Sequence, residues 1–86
     1  MRLQWDFDAW DDYCCWQRTD KAVLRRINEL IKDIRRSPFS GIGKPEPLRH
    51  NLSGFWSRRI NGEDRLVYAV EKDSVVIISC KGHYND

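Results

Sequence analysis

An apolar stripe with the helical period of 3.6 residues constrains the fold of this chain more than any other feature. Thr19 and Asp20 can begin the helix, which must end by Ser37 because Pro38 disfavours helical geometry in the residue before it. The apolar positions are Val23, Leu24, Ile27, Leu30, Ile31 and Ile34. Cations fill most of the remaining positions of this segment. A helix with one apolar side has to be covered by another layer of structure, and a sheet is the layer that we predict.

A shorter helix and several strands surround this stripe. Asp6 or Asp8 can cap a first helix, and the Asn61-Gly62 pair predicts a hairpin later in the chain. Alternating or apolar β-prone runs predict strands at residues 1–5, 55–60, 65–70 and 75–80, with a short extended segment around Leu48. We therefore predict an α+β fold: an N-terminal strand, a two-helix hairpin and then a mostly antiparallel sheet, in a single domain over residues 1–86.

The charge of the chain is distributed unevenly. The formal net charge of +2 divides into −3 over residues 1–20 and +5 over residues 21–86. A basic second part can attract phosphate backbones, but an ordinary solvated surface carries similar charge. Charge therefore permits nucleic-acid binding without showing it.

Cysteine use and hydropathy exclude several classes of protein. The three cysteines include two adjacent ones and no C-x-x-C pair, which argues against a disulfide framework or a zinc site. The Gly43-Lys44 pair is followed by proline rather than Ser or Thr, so it does not close a phosphate-binding loop. The N-terminal segment lacks the long apolar run of a signal peptide or a membrane span. We expect a cytoplasmic protein that uses no metal or other cofactor and has no membrane partner.

One set of side chains suits acid–base cleavage of RNA. Such cleavage needs a base for the 2′-hydroxyl proton, a cation for the phosphorane charge and an acid for the 5′-oxygen. Glu46, held between two prolines, is the candidate base, and Arg65 at the start of a strand is the candidate cation. His83 is the candidate acid, with His50 as its competitor. Taken alone, Glu46 and His83 are more often ordinary exposed side chains, and Arg65 is as often an arginine that covers a sheet edge.

Further cations are candidates for RNA binding. Arg58 and Arg59 are adjacent, so strand alternation sends them to opposite faces and at most one can join Arg65. The register of the hairpin decides which one, and the sequence leaves that register open. The complete set of RNA-contact candidates is Lys44, Arg49, His50, Arg58, Arg59 and, as a base-stacking residue, Tyr84.

Nearly the whole chain resembles one known family. The resemblance rests on the segments WDDY, INELIKD, KPEPLRHNLSGFWSRRI and DRLVYAV and on the His83-Tyr84 pair. These segments resemble the YoeB/Txe toxins of bacterial type II toxin–antitoxin systems, in the RelE/ParE superfamily. The resemblance implies helices packed on a curved, mostly antiparallel sheet. It also implies a ribosome-dependent endoribonuclease that cuts mRNA in the ribosomal A site.

The resemblance implies a role for each site residue. Glu46 would be the general base, and Arg65 would stabilise the charge on the phosphate. His83 would be the general acid, and Tyr84 would help to position the substrate. Arg49 stands where the family has a basic residue, often Lys, so the charge is kept while the hydrogen-bond geometry changes.

The tail of the chain departs from the family pattern. Gly82 stands where relatives usually have a bulkier or basic residue, and we expect it to loosen the acid that follows. Asn85 and Asp86 extend the chain past Tyr84.

The resemblance further implies several partners: a YefM-like antitoxin, the ribosome with its A-site mRNA, operator DNA through the antitoxin complex, and a second copy of the chain. Two other functions stay open. One is a ParE-type toxin that acts on gyrase, and the other is a catalytically silent module that binds the antitoxin and acts as a corepressor.

Overall fold

The computed structural model describes residues 1–82, so the predicted His83 and Tyr84 and the extension after them lie outside the described residues. Two helices precede most of a five-stranded sheet with the order β1-β5-β4-β3-β2. The strand β1 is parallel to β5, and every other neighbouring pair is antiparallel. The elements are β1 (Arg2–Trp5), α1 (Phe7–Thr19), α2 (Lys21–Arg36), β2 (Glu46–Pro47), a short 3-10 helix (His50–Leu52), β3 (Trp56–Arg59), β4 (Arg65–Val70) and β5 (Ser74–Ser79). The predicted α+β fold is confirmed.

The helix α2 forms where the apolar stripe predicts it. The Asp20 carboxylate accepts hydrogen bonds from the backbone N–H groups of Ala22 and Val23, both at 3.1 Å, and so caps the first turn. Ser37 closes the other end just before Pro38, as predicted. The fully covered positions of the stripe are Val23, Ile27, Leu30 and Ile34. Its other two members lie half-buried at the margins. No helix among residues 1–82 is both long and apolar enough to span a membrane.

The core lies between α2 and one face of the sheet. Alternation along β4 and β5 supplies the sheet side of this core, since successive side chains point to opposite faces. The buried sheet residues of the cluster are Leu66, Tyr68, Val75 and Ile77, and Cys80 joins them directly after β5. Arg65 and Val67 therefore belong to the face opposite the helices, where Val67 is nevertheless buried, with 1% of its surface exposed.

The helix α1 holds the end of β5 in place. Asp12 accepts a hydrogen bond from the backbone N–H of Cys80 at 3.0 Å, and the Trp16 indole donates to the Cys80 carbonyl at 2.8 Å. Burial, with the Asp12 and Asp64 carboxylates nearby, raises the pKa of the Cys80 thiol to about 12. This cysteine is a buried, protonated thiol, and all three cysteines are free, as the sequence predicts.

Candidate active site

The register of the β3–β4 hairpin decides which arginine joins Arg65. Arg59 lies directly opposite Arg65, whereas Arg58 lies opposite the buried Leu66. Residues directly opposite in an antiparallel pair have Cβ atoms about 4.5–5.5 Å apart. Arg59 and Arg65 thus stand side by side on the face of the sheet that the helices leave uncovered.

Glu46 belongs to the same face. It lies opposite Ser57 in the β2–β3 pair, and Arg59 is two residues further along β3. Diagonal neighbours of this kind are about 7–8 Å apart. One carboxylate and two guanidinium groups therefore project from three adjacent strands toward the same side.

The chain is attached to β3, or to the residue just before that strand, on both sides of Glu46. The Gly43 carbonyl accepts a hydrogen bond from the Arg59 N–H at 2.7 Å, and the Leu48 N–H donates to the Phe55 carbonyl at 2.9 Å. Glu46 itself is exposed. The proline bracket and these two attachments hold its backbone while its carboxylate stays open to solvent.

Arg65 is held against the loop that connects β3 and β4. Its guanidinium donates hydrogen bonds to the backbone carbonyls of Asn61 at 3.1 Å and Asp64 at 3.3 Å. Its backbone N–H donates to the Gly82 carbonyl at 2.8 Å. The chain therefore reaches the residue before His83 directly beside Arg65.

Three of the predicted RNA-contact residues lie around this face rather than at its centre. Lys44, Arg49 and His50 are all exposed. His50 begins the short helix that precedes β3, whereas Arg59 ends that strand. His50 is therefore separated from Arg65 by the length of β3, and this placement does not favour it as the competing acid.

The RNA-binding prediction for Arg58 is wrong. The Arg58 side chain is 0% exposed, and each of its five N–H donors has an acceptor inside the protein. The acceptors are the Tyr68 hydroxyl, the Asp33 carboxylate and the carbonyls of Ser37, Ser40 and Ile42. No donor is left for a phosphate, because this guanidinium ties the loop after α2 to the inner face of the sheet.

The family of the chain follows from comparison with known proteins. The model of a family described as the YoeB-like toxin of bacterial type II toxin-antitoxin systems matches residues 5–84. The chain belongs to this family. It is similar to the toxin YoeB of Escherichia coli (strain K12), with 64% identity over 84 residues, which covers 98% of this chain and 100% of that one.

Two solved structures from Staphylococcus aureus are similar to this toxin throughout. One is a YoeB dimer, with a TM-score of 0.92 and 47% identity, and the alignment covers 98% of each chain. The other is a heterotetrameric YoeB–YefM toxin–antitoxin complex, with a TM-score of 0.90 and the same identity and coverage. These likenesses confirm the predicted RelE-like fold.

Asp33 is the partner of Arg58 that sequence reasoning missed. Hydrogen bonds from the guanidinium groups of Arg36 and Arg58, and from the Ile42 N–H at 3.0 Å, hold the pKa of the Asp33 carboxyl far below its usual range. Asp33 follows Leu30 by three positions and so lies on the apolar side of the toxin's second helix. A charged residue in an apolar stripe was the signal that a buried partner exists.

Two loop glycines of the toxin are required by packing around this pair. A Cβ on Gly41 would lie 2.0 Å from a carboxylate oxygen of Asp33, and one on Gly43 would lie 2.8 Å from a methyl group of Leu30. Both glycines also have a positive φ, of 113° and 79°. At both positions of the loop that leads to Glu46, close packing and a positive φ require glycine.

Proposed function

We propose that this toxin is a ribosome-dependent endoribonuclease that cuts mRNA in the ribosomal A site. One observation carries the proposal: Glu46, Arg59 and Arg65 share the face of the sheet opposite the helices. Two guanidinium groups directly opposite each other repel unless an anion lies between them. A phosphodiester is such an anion, and the carboxylate beside it can act as a base.

The chemistry needs no group beyond this chain and its substrate. Glu46 takes the proton of the 2′-hydroxyl, whose oxygen forms a bond to phosphorus while the bond from phosphorus to the 5′-oxygen breaks. His83 gives a proton to the departing 5′-oxygen. The products are a 2′,3′-cyclic phosphate and a 5′-hydroxyl, so DNA, which lacks the nucleophile, is not a substrate.

The arginines stabilise the charge that develops on phosphorus. Arg65 is oriented by the two loop carbonyls to which it donates, so its guanidinium is positioned before the substrate arrives. Arg59 supplies the second cation. Tyr84 positions the substrate, and the exposed Lys44, Arg49 and His50 hold the RNA backbone on either side.

The partners of the toxin follow from its family. We propose that a YefM-like antitoxin neutralises it, that two copies form a homodimer, and that the complex with the antitoxin binds operator DNA. The YoeB dimer and the YoeB–YefM complex of Staphylococcus aureus support the first two proposals by similarity. The ribosome supplies the mRNA substrate.

Primer extension on an mRNA in a cell-free bacterial translation reaction tests the proposed activity. Reactions with and without ribosomes are compared for wild type, Glu46→Ala and Arg65→Ala. Glu63→Ala is the matched control, because Glu63 is an exposed acid in the hairpin loop that leads to Arg65. We expect new ends at A-site codons with wild type and the control, only when ribosomes are present.

Two results would contradict this function. New ends of equal intensity from Glu46→Ala would remove the proposed base. The absence of new ends from folded wild-type toxin would reject the nuclease and lead to a gyrase supercoiling assay and an operator-binding assay.

A further inference from the structure

The loop between β3 and β4 is closed by its own side chains. Asp64 accepts a hydrogen bond from the Asn61 amide at 3.0 Å. The Asn61 amide oxygen in turn accepts from the backbone N–H groups of Glu63 at 2.8 Å and Asp64 at 2.7 Å. These hydrogen bonds hold the conformation of the loop and the position of the Asp64 carboxylate.

The second carboxylate oxygen of Asp64 reaches a distant part of the chain. It accepts a hydrogen bond from the backbone N–H of Gly82 at 2.8 Å, across 18 residues of sequence. The Gly82 carbonyl accepts from the Arg65 N–H, also at 2.8 Å. The N–H and the carbonyl of Gly82 are thus bound by two adjacent residues, Asp64 and Arg65. Arg65 also carries the guanidinium that is proposed to bind the phosphate.

Hydrogen bonds, and not side-chain packing, fix the geometry at Gly82. Its φ of 77° lies in the left-handed region that favours glycine. No atom of residues 1–82 outside its chain neighbours lies within 4 Å of the point where a Cβ would stand. An exposed glycine without packing would rotate freely if only one of its two hydrogen bonds remained. The bond from Asp64 supplies the second constraint.

We propose that Asp64 is a positioning residue for the proton donor of the cleavage reaction. Its carboxylate fixes the N–H of Gly82, the residue that precedes the proposed proton donor, and the carbonyl of the same glycine is bound by the N–H of Arg65. This inference rests on the proposed function, in which His83 protonates the 5′-oxygen. The same hydrogen bond restricts the backbone of Gly82, which would otherwise be more flexible than that of any other residue type.

A pair of matched mRNA substrates separates this role from a purely structural one. One substrate has the natural 5′-oxygen at the mapped cleavage site, and the other has a bridging sulfur there. A thiolate leaves without a proton because a thiol is far more acidic than an alcohol. A defect in proton donation therefore slows cleavage of the oxygen substrate alone.

Single-turnover cleavage rates on programmed ribosomes are measured for wild type, Asp64→Ala, Glu63→Ala and His83→Ala. We expect Asp64→Ala to slow cleavage of the oxygen substrate about 10- to 100-fold, the order of loss that misplacement of a reacting group causes. We expect the same variant to cleave the sulfur substrate within about threefold of wild type. Glu63→Ala, which changes the neighbouring exposed carboxylate, should stay within about twofold on both substrates. His83→Ala should show the same selective rescue by sulfur as Asp64→Ala.

The outcomes are distinct. An equal loss on both substrates with Asp64→Ala would overturn the inference, since that pattern indicates damage to binding or to the fold. No loss on either substrate would overturn it as well. Failure of His83→Ala to be rescued by sulfur would remove the proton donor on which the inference depends, while cleavage by wild type would still support the nuclease. If wild type cleaves neither substrate, the proposed function itself fails.

Discussion

Arg58 and Arg59 are adjacent in β3, yet the fold uses them in opposite ways. Arg58 is completely buried and shares its five donors among one carboxylate, one hydroxyl and three carbonyls. Arg59 is exposed and stands opposite Arg65, and neither makes an ion pair within residues 1–82. One arginine finds acceptors for all its donors within the protein, whereas the other is exposed to solvent.

The two neighbours in β3 therefore have different roles: Arg58 stabilises the fold, and Arg59 is available to bind an anion. A buried guanidinium is tolerated only when an opposite charge and good hydrogen bonds compensate for its desolvation, and Asp33 supplies that charge. Two like charges directly opposite each other in a sheet destabilise it modestly. A protein can keep such a pair where an anion binds, and we therefore propose that the face carrying Arg59 and Arg65 is the functional one.

The largest effect is expected on stability when the buried arginine is removed. Arg58→Ala leaves the Asp33 carboxylate without one of its cations, together with three loop carbonyls without their donor. Breaking a buried ion pair by removing one partner lowers the free energy of unfolding by about 3–5 kcal/mol. A small domain has roughly 5–15 kcal/mol in total, so this variant should lose a large fraction of its stability.

Urea unfolding followed by circular dichroism measures this effect. Arg59→Ala is the matched control, and its free energy of unfolding should stay within about 0.5 kcal/mol of wild type. Equal unfolding midpoints for the two variants would contradict the assignment of different roles to the two arginines.

The next largest effect is expected on activity when the exposed arginine is removed. Arg59→Ala deletes one of the two cations that we propose stabilise the phosphorane, while the fold is retained. Removal of one such donor typically slows the chemical step about 10²- to 10³-fold. Single-turnover cleavage of ribosome-bound mRNA measures the rate, and Arg18→Ala, an exposed arginine in the last turn of α1, is the control. A rate unchanged in Arg59→Ala would assign the cationic role to Arg65 alone.

Local patterns in the sequence were enough to predict most of the fold. The stripe in α2 follows from helical periodicity, and β4 occupies residues 65–70 as the apolar run predicts. The parallel pairing of β1 with β5 joins residues 2–5 to residues 74–77. That contact could not be predicted, because nothing in either segment specifies a partner so far away in sequence.

The sequence was enough to predict which residues belong to the candidate site, but not which of Arg58 and Arg59 lies on the same face of the sheet as Arg65. Alternation shows that Arg58 and Arg59 face opposite ways, but a shift of one residue in the hairpin register would exchange them. The register depends on the loop from Ile60 to Asp64, whose side-chain hydrogen bonds have no simple sequence signature. Asp33 was missed for a related reason: its partner lies 25 residues away, on another element.

Acid should remove the stabilisation that the ionised Asp33 carboxylate gives to the fold. The pKa of Asp33 in the folded protein lies well below the ordinary value of 3.8, chiefly because of the Arg36 and Arg58 hydrogen bonds. A carboxyl group with a lowered pKa stabilises the fold above its unfolded pKa, and this stabilisation is lost as the pH falls through and below about 4. The unfolding midpoints of wild type and Asp33→Asn should therefore differ most near pH 7 and converge in acid.

Thermal unfolding between pH 2 and pH 7 measures this convergence. Glu29→Gln changes an exposed carboxylate of the same helix, which lies 3.9 Å from Arg26, and should leave the pH profile close to that of wild type. A constant difference between wild type and Asp33→Asn over the whole range would show that the ionised carboxylate contributes no stability.

The smallest effect is expected from the hydroxyl that completes the buried network. The Tyr68 hydroxyl donates to the Pro38 carbonyl at 2.7 Å and accepts from Nε of Arg58 at 3.1 Å, and burial raises the pKa of Tyr68. Tyr68→Phe leaves one donor and one acceptor without partners, which lowers the free energy of unfolding by about 1–2 kcal/mol. Tyr13→Phe, which removes a half-buried hydrogen bond to Asn28, is the control with an expected loss of about 0.5–1 kcal/mol.

The cleavage rate of folded Tyr68→Phe tests how completely the two faces are separated. The Pro38 carbonyl belongs to the loop that leads to Glu46, so loss of this hydrogen bond can reach Glu46 through that loop. We expect the single-turnover rate to equal that of wild type, because the Gly43 carbonyl still binds the Arg59 N–H and holds the end of the loop. A rate reduced more than tenfold, about 1.4 kcal/mol in the barrier, would instead show that the buried network sets the position of the base.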